Sequence, residues 1–103
     1  MKVAVPLKEE KGLKSPINEN FKTAPLFAVL RQTEEGVEVN LFKNVSETES
    51  EVAQVLLAYG VKKVVYPKAN ERVKLGFESL KMEVIDSEFK TLEEVIESLF
   101  SRE

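Results

Sequence analysis

The spacing of apolar and polar positions changes character once along the chain, near residue 46. Before that point the period is that of strands. Residues 2–7 read as a buried strand, with Val3, Ala4 and Val5 in succession and Pro6 at its exit. Residues 8–24 form a long polar loop, in which Gly12, Pro16, Asn18 and Asn20 are turn formers. Residues 25–32 make a second strand, apolar on both faces. Glu34-Glu35-Gly36 predicts a tight hairpin whose glycine supplies a positive φ. Val37, Val39 and Leu41 then alternate with Glu38 and Asn40, marking a half-exposed third strand antiparallel to the second.

Beyond residue 46 the period becomes helical. Ser46 with Glu49, or Thr48 with Glu51, supplies a capping box, and Val52, Val55, Leu56 and Tyr59 share one helix face. Gly60 suits the position that ends this helix. Residues 62–66 (KKVVY) are a short buried strand closed by Pro67. Asn70 caps a second helix with Val73, Phe77 and Leu80 on one face. Residues 82–85 are a fifth strand. Thr91 caps a last helix, with Glu94 as its box partner and Leu92, Val95, Ile96 and Leu99 facing inward.

The order is therefore βββαβαβα. Right-handed crossovers place strand 4 beside strand 1 and strand 5 outside it. The expected fold class is α/β: a five-stranded mixed sheet of order 3-2-1-4-5 with three helices, a ribonuclease H-like layout. A length of 103 residues fits one domain, 1–103, and 43% apolar residues exclude a disordered chain.

Composition narrows the chemistry. The net charge of −3 carries no basic excess of the kind nucleic-acid binders show. The start MKVAVPLKEE is too short and too soon charged for a signal peptide or membrane span, so a cytoplasmic protein without membrane contact is expected. High charge (32%) with few glutamines and no cysteine resembles a thermophile's composition. The chain has no cysteine and no histidine. This removes thiol nucleophiles, thiolate and imidazole metal ligands, and the commonest general base. Carboxylates, carbonyls and water remain, which suit magnesium or calcium.

Catalytic motifs are missing too. Neither GxGxxG nor GxxxxGK[ST] occurs. A ribonuclease H-like nuclease needs carboxylates for two metals, one of them on the first strand. KVAVP has none, and Asp86 is the single aspartate in the chain. Glu47, Glu49 and Glu51 are explained by capping and the helix dipole. No catalytic residue and no metal ligand is expected.

Several segments carry a resemblance. MKVAVP is similar to the KIAIP-like first strand of the dinitrogenase iron–molybdenum cofactor biosynthesis family, small domains related to nitrogenase cofactor carriers. That family's first loop ends in a His-Phe-Gly-x-Ala-Pro-x-Phe type motif, and NFKTAPLF here matches it at Phe21, Ala24, Pro25 and Phe27. LLAYGVKKVV (56–65) and FESL (77–80) resemble its later helix–Gly–strand and helix units. The resemblance implies a ribonuclease H-like fold and a role in binding or carrying a metallocluster. Asn20 stands where the family motif has histidine and Lys22 where it has glycine. YPKANER (66–72) replaces a glycine-rich turn, and the connection into the first helix is cut to KNVSETE. With neither His nor Cys, tight ligation of iron or molybdenum is not expected.

The candidate site lies outside the carboxyl ends of the parallel strands, where ligands bind in open α/β sheets. Two segments leave that edge: the long loop, with Asn20 and Lys22, and YPKANER, with Lys68, Asn70 and Arg72. Residues 66–74 hold Lys68, Arg72 and Lys74 against Glu71, a local excess of positive charge beside a helix start. The expected ligand is a small anion, and the expected function that of a non-enzymatic binding module. Plain readings stand beside each residue. Phe21, Pro25 and Phe27 are structural, Phe21 as a plug tying the loop to the core. Asn18 and Asn20 suit either local turns or ligand contacts. The alternative function is a protein-interaction or homodimeric module that has lost ligand binding. A metal-dependent hydrolase is the weakest reading. A concave pocket between residues 15–24 and 66–72 discriminates the first two.

Overall fold

The computed structural model describes residues 1–100, leaving only the end of the expected 1–103 domain outside the described residues. Its elements are β1 (Lys2–Leu7), β2 (Leu26–Thr33), β3 (Gly36–Lys43), α1 (Glu49–Ala58), β4 (Lys63–Val65), α2 (Glu71–Glu78), β5 (Glu83–Ile85) and α3 (Leu92–Phe100). The sheet order is β3-β2-β1-β4-β5, as the crossover rule predicts. β2 is antiparallel to both β1 and β3, while β4 runs parallel to β1 and to β5.

Strand alternation divides the core between two faces. Ala4, Phe27, Val29 and Val64 pack under α1 and α2 with Val52, Leu56 and Phe77. Val3, Val5, Leu7, Ala28, Leu30 and Val65 pack against α3 through Leu92 and Val95. Central strands buried on both faces read as apolar runs for this reason.

The details refine several sequence expectations. Pro6 lies inside β1, opposite Phe27, not at its exit. It is tolerated because β4 reaches only as far as Ala4 along β1. Beyond that point the long loop takes the place of β4: Asn18 N–H donates to Pro6 O (2.9 Å) and Lys8 N–H to Pro16 O (2.9 Å). A residue's N–H and C=O share one side of an antiparallel pair, so the amide that proline lacks would have faced the loop, and no bond to β2 is lost. The box at α1 is Thr48 with Glu51; the Ser46–Glu49 alternative is not used. Glu94 does not close a box with Thr91. Its Oε1 accepts instead from Lys90 N–H (2.8 Å). The first amides of α3 go to the loop: Leu92 N–H donates to Ser15 O and Glu93 N–H to Leu13 O. The loop thereby satisfies a helix start that would otherwise be orphaned.

α1 and α2 end alike. Gly60 (φ +81°) donates to Leu57 O, and Val61 to Leu56 O. Lys81 (φ +66°) donates to Glu78 O, and Met82 to Phe77 O. Both are Schellman ends, with the apolar pair that closes them buried in each case. The sequence announces the first through glycine and hides the second behind a lysine.

Candidate functional site

β1, β3 and β4 point the same way, so their carboxyl ends share one edge of the sheet. Four connections leave there, since β5 is parallel to β4: the 8–24 loop, the short link 44–48, the turn 66–70 and, farther out, the link 86–91. Phe21 fastens the first. It is fully buried, with ring centroids 6.4, 6.1 and 6.2 Å from Phe27, Tyr66 and Phe77. Asn44 fastens it again, its Nδ2 donating to Phe21 O (2.7 Å) and Ala24 O (2.9 Å).

These two anchors bring the exposed Lys22 to the first turn of α1, where its N–H donates to Glu49 Oε1 (2.8 Å). The other carboxylate oxygen, Oε2, is buried without a partner in hydrogen-bonding geometry. Even so, the carboxylate stands close enough to Tyr66 for its charge to be felt. Burial first, and Glu49 second, push the Tyr66 phenol well above the usual tyrosine range.

A cleft of 720 Å³ opens between α1 and α2 at this corner, with Lys22, Glu49, Gln54, Arg72, Phe77 and Ser79 among its lining residues. Among the described residues, neither Lys22 nor Arg72 is held in an ion pair. A smaller depression of 200 Å³ adjoins it, sharing Val73 and lined by Glu19, Asn20, Tyr66, Lys68 and Asn70. The five sequence candidates therefore fall at one corner but in two depressions: Lys22 and Arg72 in the cleft, Asn20, Lys68 and Asn70 in its neighbour.

Their side chains are not equally free. Asn20 Oδ1 accepts from Thr23 N–H (2.8 Å) and Thr23 Oγ1 (2.9 Å), so its oxygen serves the turn. Asn70 Oδ1 caps α2 by accepting from Val73 N–H (2.9 Å). Lys68 sits at φ +58° in a turn closed by Ala69 N–H to Tyr66 O, with Pro67 before it, the arrangement of a type II turn that normally wants glycine. Lys74 is drawn away by Asp86 (2.8 Å), which cuts the expected local excess of +2 over residues 66–74 to +1. Sequence reading missed Glu49 and Asn44 as builders of the corner. Glu49 looked like a dipole-completing residue, and nothing local distinguishes Asn44 from any asparagine after a strand.

Among the described residues, no three His, Cys, Asp or Glu side chains gather as a metal site. The cleft offers one carboxylate, already bonded to an amide, and two cations. That donor set does not fit direct ligation of an iron–molybdenum cluster.

An α/β/α domain with a cationic cleft at the carboxyl edge of its parallel strands is the class defined so far. The chain belongs to the dinitrogenase iron-molybdenum cofactor family, whose model matches residues 1–102. Three solved structures share its fold. PH0822 is 22% identical with a TM-score of 0.81, over 95% of this chain and 88% of that one. A putative NifB protein from Thermotoga, described as belonging to the DUF35 family, is 24% identical with a TM-score of 0.70, over 96% and 86%. The apo form of the orange protein from Desulfovibrio gigas is 18% identical with a TM-score of 0.75, over 96% and 86%. A search of curated proteins found no match. None of the described helices is long and apolar enough to cross a membrane.

Proposed function

We propose that this chain is a small, non-enzymatic binding module of the cofactor family, acting in the cytoplasm as one ribonuclease H-like domain (1–103). It holds a small anionic ligand at the corner between α1 and α2. One observation carries the reading: Lys22 and Arg72, from segments fifty residues apart, line the same cleft, and among the described residues neither side chain is held in an ion pair. With Glu49 the charged lining residues sum to +1, in a chain whose net charge is −3. A cleft with converging charge of one sign favours a ligand of the other. Lys68 and the capped start of α2 extend the positive rim. The absence of a fitting ligand set makes this an electrostatic hold on an anion, with no metal–protein bond. The concavity favours this reading over an interaction module with a filled surface.

Backbone amide NMR during titration with inorganic phosphate tests it. Shifts concentrated at residues 21–23, 49–51 and 70–74, and lost in Lys22→Ala/Arg72→Ala, are the expected result. Unchanged spectra at about 10 mM phosphate, a level that already implies binding weaker than ~3 kcal/mol, would end it.

A further inference from the structure

We infer that the exposed edge of β3 is a self-pairing surface, joining two copies of this chain through antiparallel β3–β3 contact with the two-fold axis at Val39. The surface is separate from the cleft and does not rest on the reading of it.

Among the described residues nothing pairs with the outer side of β3. β3 pairs with β2 on one side only and ends the sheet. Its register with β2 runs without interruption from Gly36 to Lys43, so no bulge turns it aside. It contains no proline, and its one lysine lies at its end. Natural edge strands usually carry such devices against pairing. Asn44 N–H donates back to Pro25 O (3.0 Å), which fixes the alternation. Even-numbered residues turn their backbone groups to β2, so Val37, Val39 and Leu41 turn theirs outward.

The strand is also complementary to itself in one register. With Val39 opposite Val39 of a second copy, Val37 faces Leu41 and Leu41 faces Val37. Every outward-bonding pair inside the strand is then apolar, and side chains exposed at Val39 (37%) and Leu41 (42%) form one strip. The same register sets Lys43 against Glu35 at both ends. On the opposite face Glu38, already held by Arg31 (2.7 Å), meets Asn40, whose amide can donate to it. Moving the axis to Asn40 instead sets Val37 against Lys43 and Glu38 against Phe42, and these matches are lost. Cross-strand pairs of this kind are the unit of sheet stabilisation.

Sedimentation of the full chain across micromolar to millimolar concentrations gives the test. A reversible dimer is expected. Val39→Lys, which places like charges at the axis, should give a folded monomer by circular dichroism. Lys43→Glu should weaken dimerisation about tenfold, and Lys43→Glu/Glu35→Lys should restore it. A wild-type monomer at millimolar concentration overturns the proposal, as does a dimer indifferent to Val39→Lys. A dimer unmoved by Lys43→Glu overturns the Val39 axis.

Discussion

Lys81 and Gly60 occupy the same place in two helix ends built from the same pair of hydrogen bonds, yet only one is glycine. A side chain at positive φ costs roughly 1 kcal/mol or more. Lys81→Gly should therefore stabilise the protein by about 1 kcal/mol, raising the melting temperature by some 4 °C or more for a domain of this size. Gly60→Ala should cost a similar amount. A Cβ there meets nothing closer than Lys2 Nζ at 3.9 Å, so the penalty is conformational rather than steric. Thermal melts of both variants check the pair, and a Lys81→Gly protein no more stable than wild type would sink the argument. Tyr66 gives a second residue-scale prediction. Burial and then Glu49 hold its phenol proton on. The unfolded chain releases that proton near pH ~10, the folded protein only at higher pH. Stability is thus intact below that pH and falls as pH rises above it. Urea unfolding at about pH 8 and pH 11 should show the loss, and Tyr66→Phe should reduce it.

The long loop is the element whose physics matters most to the site. Its backbone replaces the missing end of β4 beside β1, its carbonyls receive the first amides of α3, and Phe21 plugs it into the aromatic cluster. Asn44 closes the other end. Asn44→Ala removes donors from two carbonyls and should cost about 2 kcal/mol. Asn44→Asp keeps the shape but presents an acceptor to those carbonyls, and should cost at least as much. Denaturant titration distinguishes these outcomes; a neutral Asn44→Asp variant would show that the two bonds do not hold the corner. Much of this element level was legible in the sequence. The period change near residue 46, the Thr48–Glu51 box and the Gly60 stop each express a local rule, and the structure contains them. The Asn70 cap does the same. Phe21 was legible as a plug because a large aromatic beside a strand has few other uses. What could not be read were features set by distant partners. Pro6 sitting harmlessly inside β1 and Asn44 bridging to Phe21 and Ala24 both depend on where the loop runs.

At the scale of the whole molecule, topology is what gathers the candidate residues, and their chemistry decides what can be held. The strand order places four connections at one edge, and three of them deliver Lys22, Glu49 and Arg72 to a single cleft. Sequence alone pointed to that edge and offered turn or cap chemistry beside ligand contact for Asn20 and Asn70; both side-chain oxygens are engaged in those local bonds. Membership of the dinitrogenase iron-molybdenum cofactor family raises the matter of metal directly. This chain has no histidine and no cysteine, and its one aspartate is paired with Lys74. With no soft or imidazole donor in the chain, the expectation is that an anionic metal complex would be held at the cleft by charge, and such a hold is screened by salt. As isolated, the protein should carry no stoichiometric iron, zinc or molybdenum. After anaerobic incubation with an anionic iron–sulfur or iron–molybdenum complex, material retained on desalting at low ionic strength should be lost in about 1 M salt, where the screening length falls to ~3 Å. The Lys22→Ala/Arg72→Ala variant should retain less at low salt. Metal analysis of the desalted protein decides the matter. Stoichiometric metal surviving the high-salt column would mean that coordination bonds form with groups this cleft does not supply, and the electrostatic account of the site would fall.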